Sequence, residues 1–168
     1  GSRKQEIKDN LCRMCEAAAP YVEQGYQLVL AGAPSITQEY YDHTLQRLKW
    51  PKERLPRILR SQTYPLLSHA TAALVTSGTA ALETGLFRVP QVVCYYVAAG
   101  KIVSFLRRHL LKVKYISLVN LVANREVVPE LVADGMNVKN VRQHLSEILP
   151  GGTAREAQLK GYEEMATL

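Results

Sequence analysis

Ala72-Ala73-Leu74-Val75-Thr76-Ser77-Gly78-Thr79-Ala80-Ala81-Leu82-Glu83 contains an apolar run, a turn of small residues and a helix start in one short stretch. The apolar run reads as a buried parallel strand, and Ser-Gly-Thr turns the backbone into a helix whose first N–H groups have no intrahelical partner. Such a turn suits an anion. The helix start carries partial positive charge and free donors, and Gly78 lets a phosphate approach without a Cβ in the way. Glu83 lies about one turn further on, where a side chain tilted toward the N-terminus reaches the hydroxyls of a sugar beside that phosphate. Phosphate and ribose together point to a nucleotide. The octapeptide from Thr76 also reads as an ordinary helix start, with Ser77 as a cap and Glu83 as a solvated acid.

Around this stretch, helix and strand signals alternate along the 168 residues. The spacing predicts an opening helix ending near Pro20, a strand over Gln27–Ala31, a helix over Thr37–Lys49 and a strand over Arg57–Arg60. A helical piece near Tyr64–Ser68, a strand over Ala72–Thr76, the helix after Ser-Gly-Thr and a strand over Gln91–Tyr95 come next. A basic helix from Lys101 to Lys114 and a short strand over Tyr115–Leu118 follow. Pro129 suits a first helical position with Gly135 just past the end. Asn137 opens a helix carrying Val138, Val141, Leu145 and Ile148, and Pro150-Gly151-Gly152 stops it. Thr153 and Glu156 have the spacing of a capping box for a last helix. The alternation means an α/β fold with a mainly parallel, Rossmann-like sheet flanked by helices. Residues 1–150 read as one domain and 151–168 as a C-terminal helix.

Composition narrows the function. At 47% hydrophobic residues the chain supports a core, and no run approaches the ~20 apolar residues that span a bilayer. No secretory leader is read at its start, and three scattered cysteines fit a reducing compartment, so the expectation is a cytoplasmic protein. Cys12 and Cys15 form a CxxC, yet both fall on the stripe Ile7, Leu11, Met14, Cys15, Ala18. They read as small core residues, with no metal site expected. Much of the net charge of +6 lies in Lys101–Lys114, an amphipathic helix that either rests on an anionic bilayer or, the favoured reading, packs its apolar side on the core. Lys101, Arg107, Arg108 and Lys112 lie on a basic side that faces acidic lipid or phosphate. Nucleic acid is disfavoured, because basic and aromatic residues are not interleaved.

Three blocks carry a resemblance: Gly1-Ser2-Arg3-Lys4-Gln5-Glu6-Ile7, Ala73 to Glu83, and Pro90-Gln91-Val92-Val93-Cys94-Tyr95. Tyr115 to Leu121 and Asn124-Arg125-Glu126-Val127-Val128-Pro129-Glu130-Leu131 extend it. In this order they resemble the lipid-A-disaccharide synthase family over nearly the whole chain, with Val119 departing from the proline common there. The resemblance implies the C-terminal, donor-binding half of a GT-B glycosyltransferase, in which two Rossmann-like halves face each other across a cleft. A Gly-Ser-Arg turn into a helix is expected to follow a strand. None is read before Gly1, so the domain's first strand is expected to be missing.

The implied enzyme is an inverting, metal-independent hexosyltransferase of lipopolysaccharide biosynthesis. It moves 2,3-diacylglucosamine from UDP to 2,3-diacylglucosamine 1-phosphate, giving the lipid A disaccharide, with the UDP-sugar as substrate and no cofactor. The family's base lies in the acceptor half, so this chain alone is expected not to turn over. The resemblance gives Arg3 the catalytic task of meeting the negative charge on departing UDP. The substrate-binding set is Ser2, Arg3, Ser77, Gly78, Thr79, Glu83, Asn120, Arg125 and Glu126. The expected partners are UDP-2,3-diacylglucosamine, a lipid acceptor held by the other half, and an anionic membrane at the inner face of the inner membrane; homo-oligomerisation stays open. Two alternatives remain on the residues alone: another UDP-sugar enzyme of GT-B architecture, an N-acetylglucosaminyltransferase or an epimerase, or a non-catalytic basic α/β binding module.

Overall fold

The computed structural model describes residues 1–76, 78–96 and 114–168. The basic helix, with Lys101, Arg107, Arg108 and Lys112, and the turn residue Ser77 lie outside the described residues. The elements are α1 (Lys4–Glu23), β1 (Val29–Gly32), α2 (Gln38–Leu45), β2 (Arg57–Arg60), α3 (Thr63–His69) and β3 (Ala73–Val75). They continue with α4 (Gly78–Leu86), β4 (Gln91–Tyr95), α5 (Leu118–Ala123), β5 (Glu130–Val132), α6 (Val138–Ile148) and α7 (Arg155–Ala166). Among the described residues all the strand pairs are parallel: β1 with β2, and β3, β4 and β5 in that order.

β4 is the centre of the α/β sandwich, and Gln91 to Cys94 are fully buried. On one face Val92 and Cys94 meet Ala17 and Ala18 of α1 and Val141, Leu145 and Ile148 of α6. On the other, Val75 and Val93 meet Ala81, Val119, Tyr162 and Met165 from α4, α5 and α7. α7 therefore shares the core of the preceding residues. Between α1, α2 and the β1–β2 pair lies a further cluster of Ile7, Leu11, Cys15, Tyr41 and Leu45, and Leu28 touches both it and the α1–α6 core. Cys15 is buried as the helical stripe requires, and Cys12 gives its thiol hydrogen to Thr44 O at 3.2 Å. Burial pushes the Cys15 and Cys94 thiols up to about 12.

Several elements depart from their sequence expectation, each for a tertiary reason. α1 runs through Pro20 to Glu23. Proline leaves Glu16 O without its helical donor, and Arg142 of α6 supplies one at 2.7 Å while its Nε donates to Ala17 O at 3.3 Å. The second helix begins at Gln38 with Thr37 as its cap, and it tightens to a 3₁₀ turn at Gln46–Leu48, closed by Lys49 at φ 55°. Tyr115–Leu118 is not a strand, because the N–H groups of Ile116 and Ser117 donate to the Glu130 carboxylate and Ser117 caps α5. Pro129 opens a strand where a helix was expected: its carbonyl accepts from Val93 N, and β5 continues the β4 ladder. The Thr153–Glu156 capping box is absent; Ala154 N donates to Glu147 O, and Arg155 anchors the start of α7 on Thr71 O and Ile148 O.

Among the described residues no ladder joins β1 to β3, so each has one edge without a strand partner. α1 spans this division, packing on α2 on one side and on α6 and β4 on the other.

Candidate nucleotide site

In a parallel α/β sheet, ligands bind at the carboxyl ends of the strands, where the helix N-termini gather. At that end the structure brings two of the predicted turns together. A Cβ placed on Gly1 would stand 3.0 Å from Thr76 Oγ1, which puts the Gly1-Ser2-Arg3 turn into α1 beside the turn from β3 into α4. Ser35, just beyond β1, holds the first turn by donating to Ser2 O at 3.1 Å. The starts of a twenty-residue and a nine-residue helix therefore converge, and both present positive dipole ends.

The Glu6 carboxylate also reaches this turn, with Oε2 2.6 Å from the position of a Cβ on Gly1; the other side chains there are uncommitted or uncovered. Arg3 is exposed, occupies the N-cap position of α1 in extended conformation, and has no ion pair among the described residues. Thr79 is exposed and Glu83 half-buried on α4. Thr76 is 6% exposed, yet its hydroxyl has no hydrogen-bond partner among the described residues. A buried orphan hydroxyl costs free energy, and Thr76, which ends the strand in sequence and carries no site role there, belongs with this site. Behind Gly78, a Cβ would lie 3.4 Å from Ile116 O and 3.8 Å from Leu118 N, so the segment entering α5 forms the wall of this turn.

Asn120, Arg125 and Glu126 sit elsewhere. Asn120 is wholly buried, and its amide is used up: Oδ1 accepts from Val127 N (2.7 Å) and Val128 N (3.0 Å), and Nδ2 donates to Val128 O (2.8 Å) and Glu130 Oε1 (2.9 Å). No capacity is left for a ligand. Arg125 pairs with Glu164 of α7. With Glu126, Arg125 lines a cavity of about 240 Å³ shared with His144, Glu147 and Gln158. Gln158 is bonded to the backbone of Gln91, where β4 begins, so this cavity lies at the end of the sheet away from Thr76. The reason is the direction of α5, which starts against Gly78 and carries the chain away from it to Asn124.

The sequence profile of the family described as lipid-A-disaccharide synthetase matches residues 1–167. The chain belongs to this family. Among relatives named lipid-A-disaccharide synthase, the protein of Myxococcus xanthus is 35% identical over 167 residues, covering 98% of this chain and 42% of its own length. That of Acidobacterium capsulatum is 33% identical over 175 residues, covering 98% and 43%. The Syntrophus aciditrophicus protein is 35% identical over 160 residues, covering 94% and 40%. The chain thus spans about two fifths of the length of these curated relatives. The lipid-A-disaccharide synthetase match covers both converging turns and α7 alike. No helix among the described residues is long and apolar enough to cross a membrane.

Proposed function

We propose that this chain is the donor-binding half of a lipid-A-disaccharide synthase, holding the UDP of UDP-2,3-diacylglucosamine while the sugar passes to 2,3-diacylglucosamine 1-phosphate. The observation that supports this reading is the meeting of the Gly1 and Thr76 turns at the starts of two helices, with the orphan Thr76 hydroxyl there and Arg3, without an ion pair among the described residues, at the N-cap of one of them. Positive ends and an unpaired guanidinium repel one another unless an anion lies between them. A diphosphate leaving group is such an anion, and stabilising it as the glycosidic bond breaks needs no metal if these donors are in place. Arg3 takes the developing charge, Gly78, Thr79 and Ser77 offer the helix start, Ser2 lines the facing turn, and Glu83 accepts from the ribose. Asn120 acts beneath the site as a brace, and Arg125 and Glu126 have no part in it.

The acceptor, the catalytic base and the opposing lobe belong to the part of a full-length relative that this chain does not span, so the chain alone binds donor without turnover. Lys101, Arg107, Arg108 and Lys112 are proposed to meet anionic lipid at the inner face of the inner membrane, where a lipid-linked acceptor would be presented.

Calorimetric titration of UDP, with uridine as control, tests the reading. Saturable binding of UDP, none of uridine, and about 10-fold or greater weakening by Arg3→Ala are expected, the size of a charge-assisted contact to phosphate. Equal heats for the wild-type chain and Arg3→Ala would remove Arg3 from the site.

A further inference from the structure

We propose that Glu130 is a positioning residue for the nucleotide site, setting the wall against which the α4 turn is built; this rests on the nucleotide reading above. Glu130 has no place in that reading, and in sequence it is an acid after a proline. In the structure its carboxylate is the hub of the α5 entry. Oε2 accepts from Ile116 N at 2.9 Å, and Oε1 accepts from Ser117 N at 2.9 Å, Ser117 Oγ at 2.7 Å and Asn120 Nδ2 at 2.9 Å. Two consecutive backbone amides, a hydroxyl and a side-chain amide thus converge on one ionised group, the acceptor type that makes the strongest bonds.

The consequence lies on the other side of the same segment. With the N–H of Ile116 held by Glu130, its carbonyl lies 3.4 Å from the position a Cβ on Gly78 would take. Glu130 itself is fixed in height by the ladder, since Val93 pairs with both Val75 of β3 and Glu130 of β5. The carboxylate therefore gauges the spacing between the end of β3 and the α5 entry. Two things follow: the wall cannot retreat from position 78, and the Ile116 and Ser117 amides are spent on Glu130, so the anion is left to the starts of α1 and α4.

A double-mutant cycle on UDP affinity reads this directly. Glu130→Gln keeps the shape but replaces one acceptor oxygen with a donor facing donors, and is expected to weaken UDP binding about 5- to 10-fold. Gly78→Val in the wild-type background is expected to weaken it at least as much: a Cβ there would already stand at contact distance, 3.4 Å from the held Ile116 carbonyl, and the γ methyls need room beyond it. In the Glu130→Gln background the wall yields, so the added loss from Gly78→Val should shrink to about 2-fold or less. A merely structural role would lower the thermal midpoint but leave the two losses additive. Glu130→Asp retains the charge, recovers part of the affinity, and carries the same cycle if Glu130→Gln does not fold. UDP binding unchanged by either Glu130 substitution, or strict additivity with Gly78→Val, overturns the proposal while leaving the nucleotide reading intact. A wild-type chain that binds no UDP overturns both.

Discussion

Asn120 and Glu130 are polar residues whose worth depends wholly on what surrounds them. Asn120 satisfies two backbone donors and one acceptor at Val127 and Val128, all in a region without solvent. Asn120→Ala leaves those groups buried and unpaired, and is expected to cost about 3 kcal/mol, read as a lowered urea midpoint. Alanine at Ser117 removes one cap and one bond to Glu130 and should cost less. In the sequence Glu130 is an acid after a proline with no role assigned, and the resemblance gives Asn120 to the ligand. Its neighbours in space take up that capacity: an amide whose four hydrogen bonds go to Val127, Val128 and Glu130 holds a loop in place.

At the scale of elements, α7 shows how a helix is seated by one small residue. Gly161 faces Val127, and a Cβ there would stand 2.6 Å from Val127 Cγ1. Gly161→Ala gains about 1 kcal/mol of helix propensity but overpacks this contact, for an expected net loss of about 1–2 kcal/mol. Adding Val127→Ala opens the space, so the double variant should melt at a higher temperature than Gly161→Ala alone. α1 and β5 carry the same lesson in different forms. The helical stripe of α1 and the uninterrupted apolar run of β4 were readable because their signals are local and periodic. The passage of α1 through Pro20 was not, because the donor that makes it tolerable comes from Arg142, more than a hundred positions away. Nor was β5, three residues long, whose identity as a strand is conferred by the free edge of β4.

At the scale of the whole molecule, the two-sided core makes an alkaline limit. Cys15 and Cys94 are raised from an ordinary 9.0 to about 12 by burial, and Tyr162 is raised too, again chiefly by burial. The unfolded chain therefore releases these protons at lower pH than the native one. Above about pH 9 it binds fewer protons than the folded state, so stability is whole below that value and falls as pH rises toward 12. Urea midpoints at pH 8 and pH 10 should show the drop. Cys94→Ala, compared with itself at the two values, should show a smaller one.

By itself the sequence determined the α/β alternation, the parallel strands, the helix start at Asn137, and the pairing of a small-residue turn with a helix start, because each depends on residues adjacent along the chain. Only the tertiary structure decided that the Gly1 and Thr76 turns meet, that Asn120 is a brace, that Arg125 and Glu126 lie at the far end of the sheet, and that Glu130 gauges the wall behind Gly78. A side chain's capacity to donate, accept or carry charge is set by its type. Whether a ligand can use that capacity is settled by which distant backbone groups reach it first.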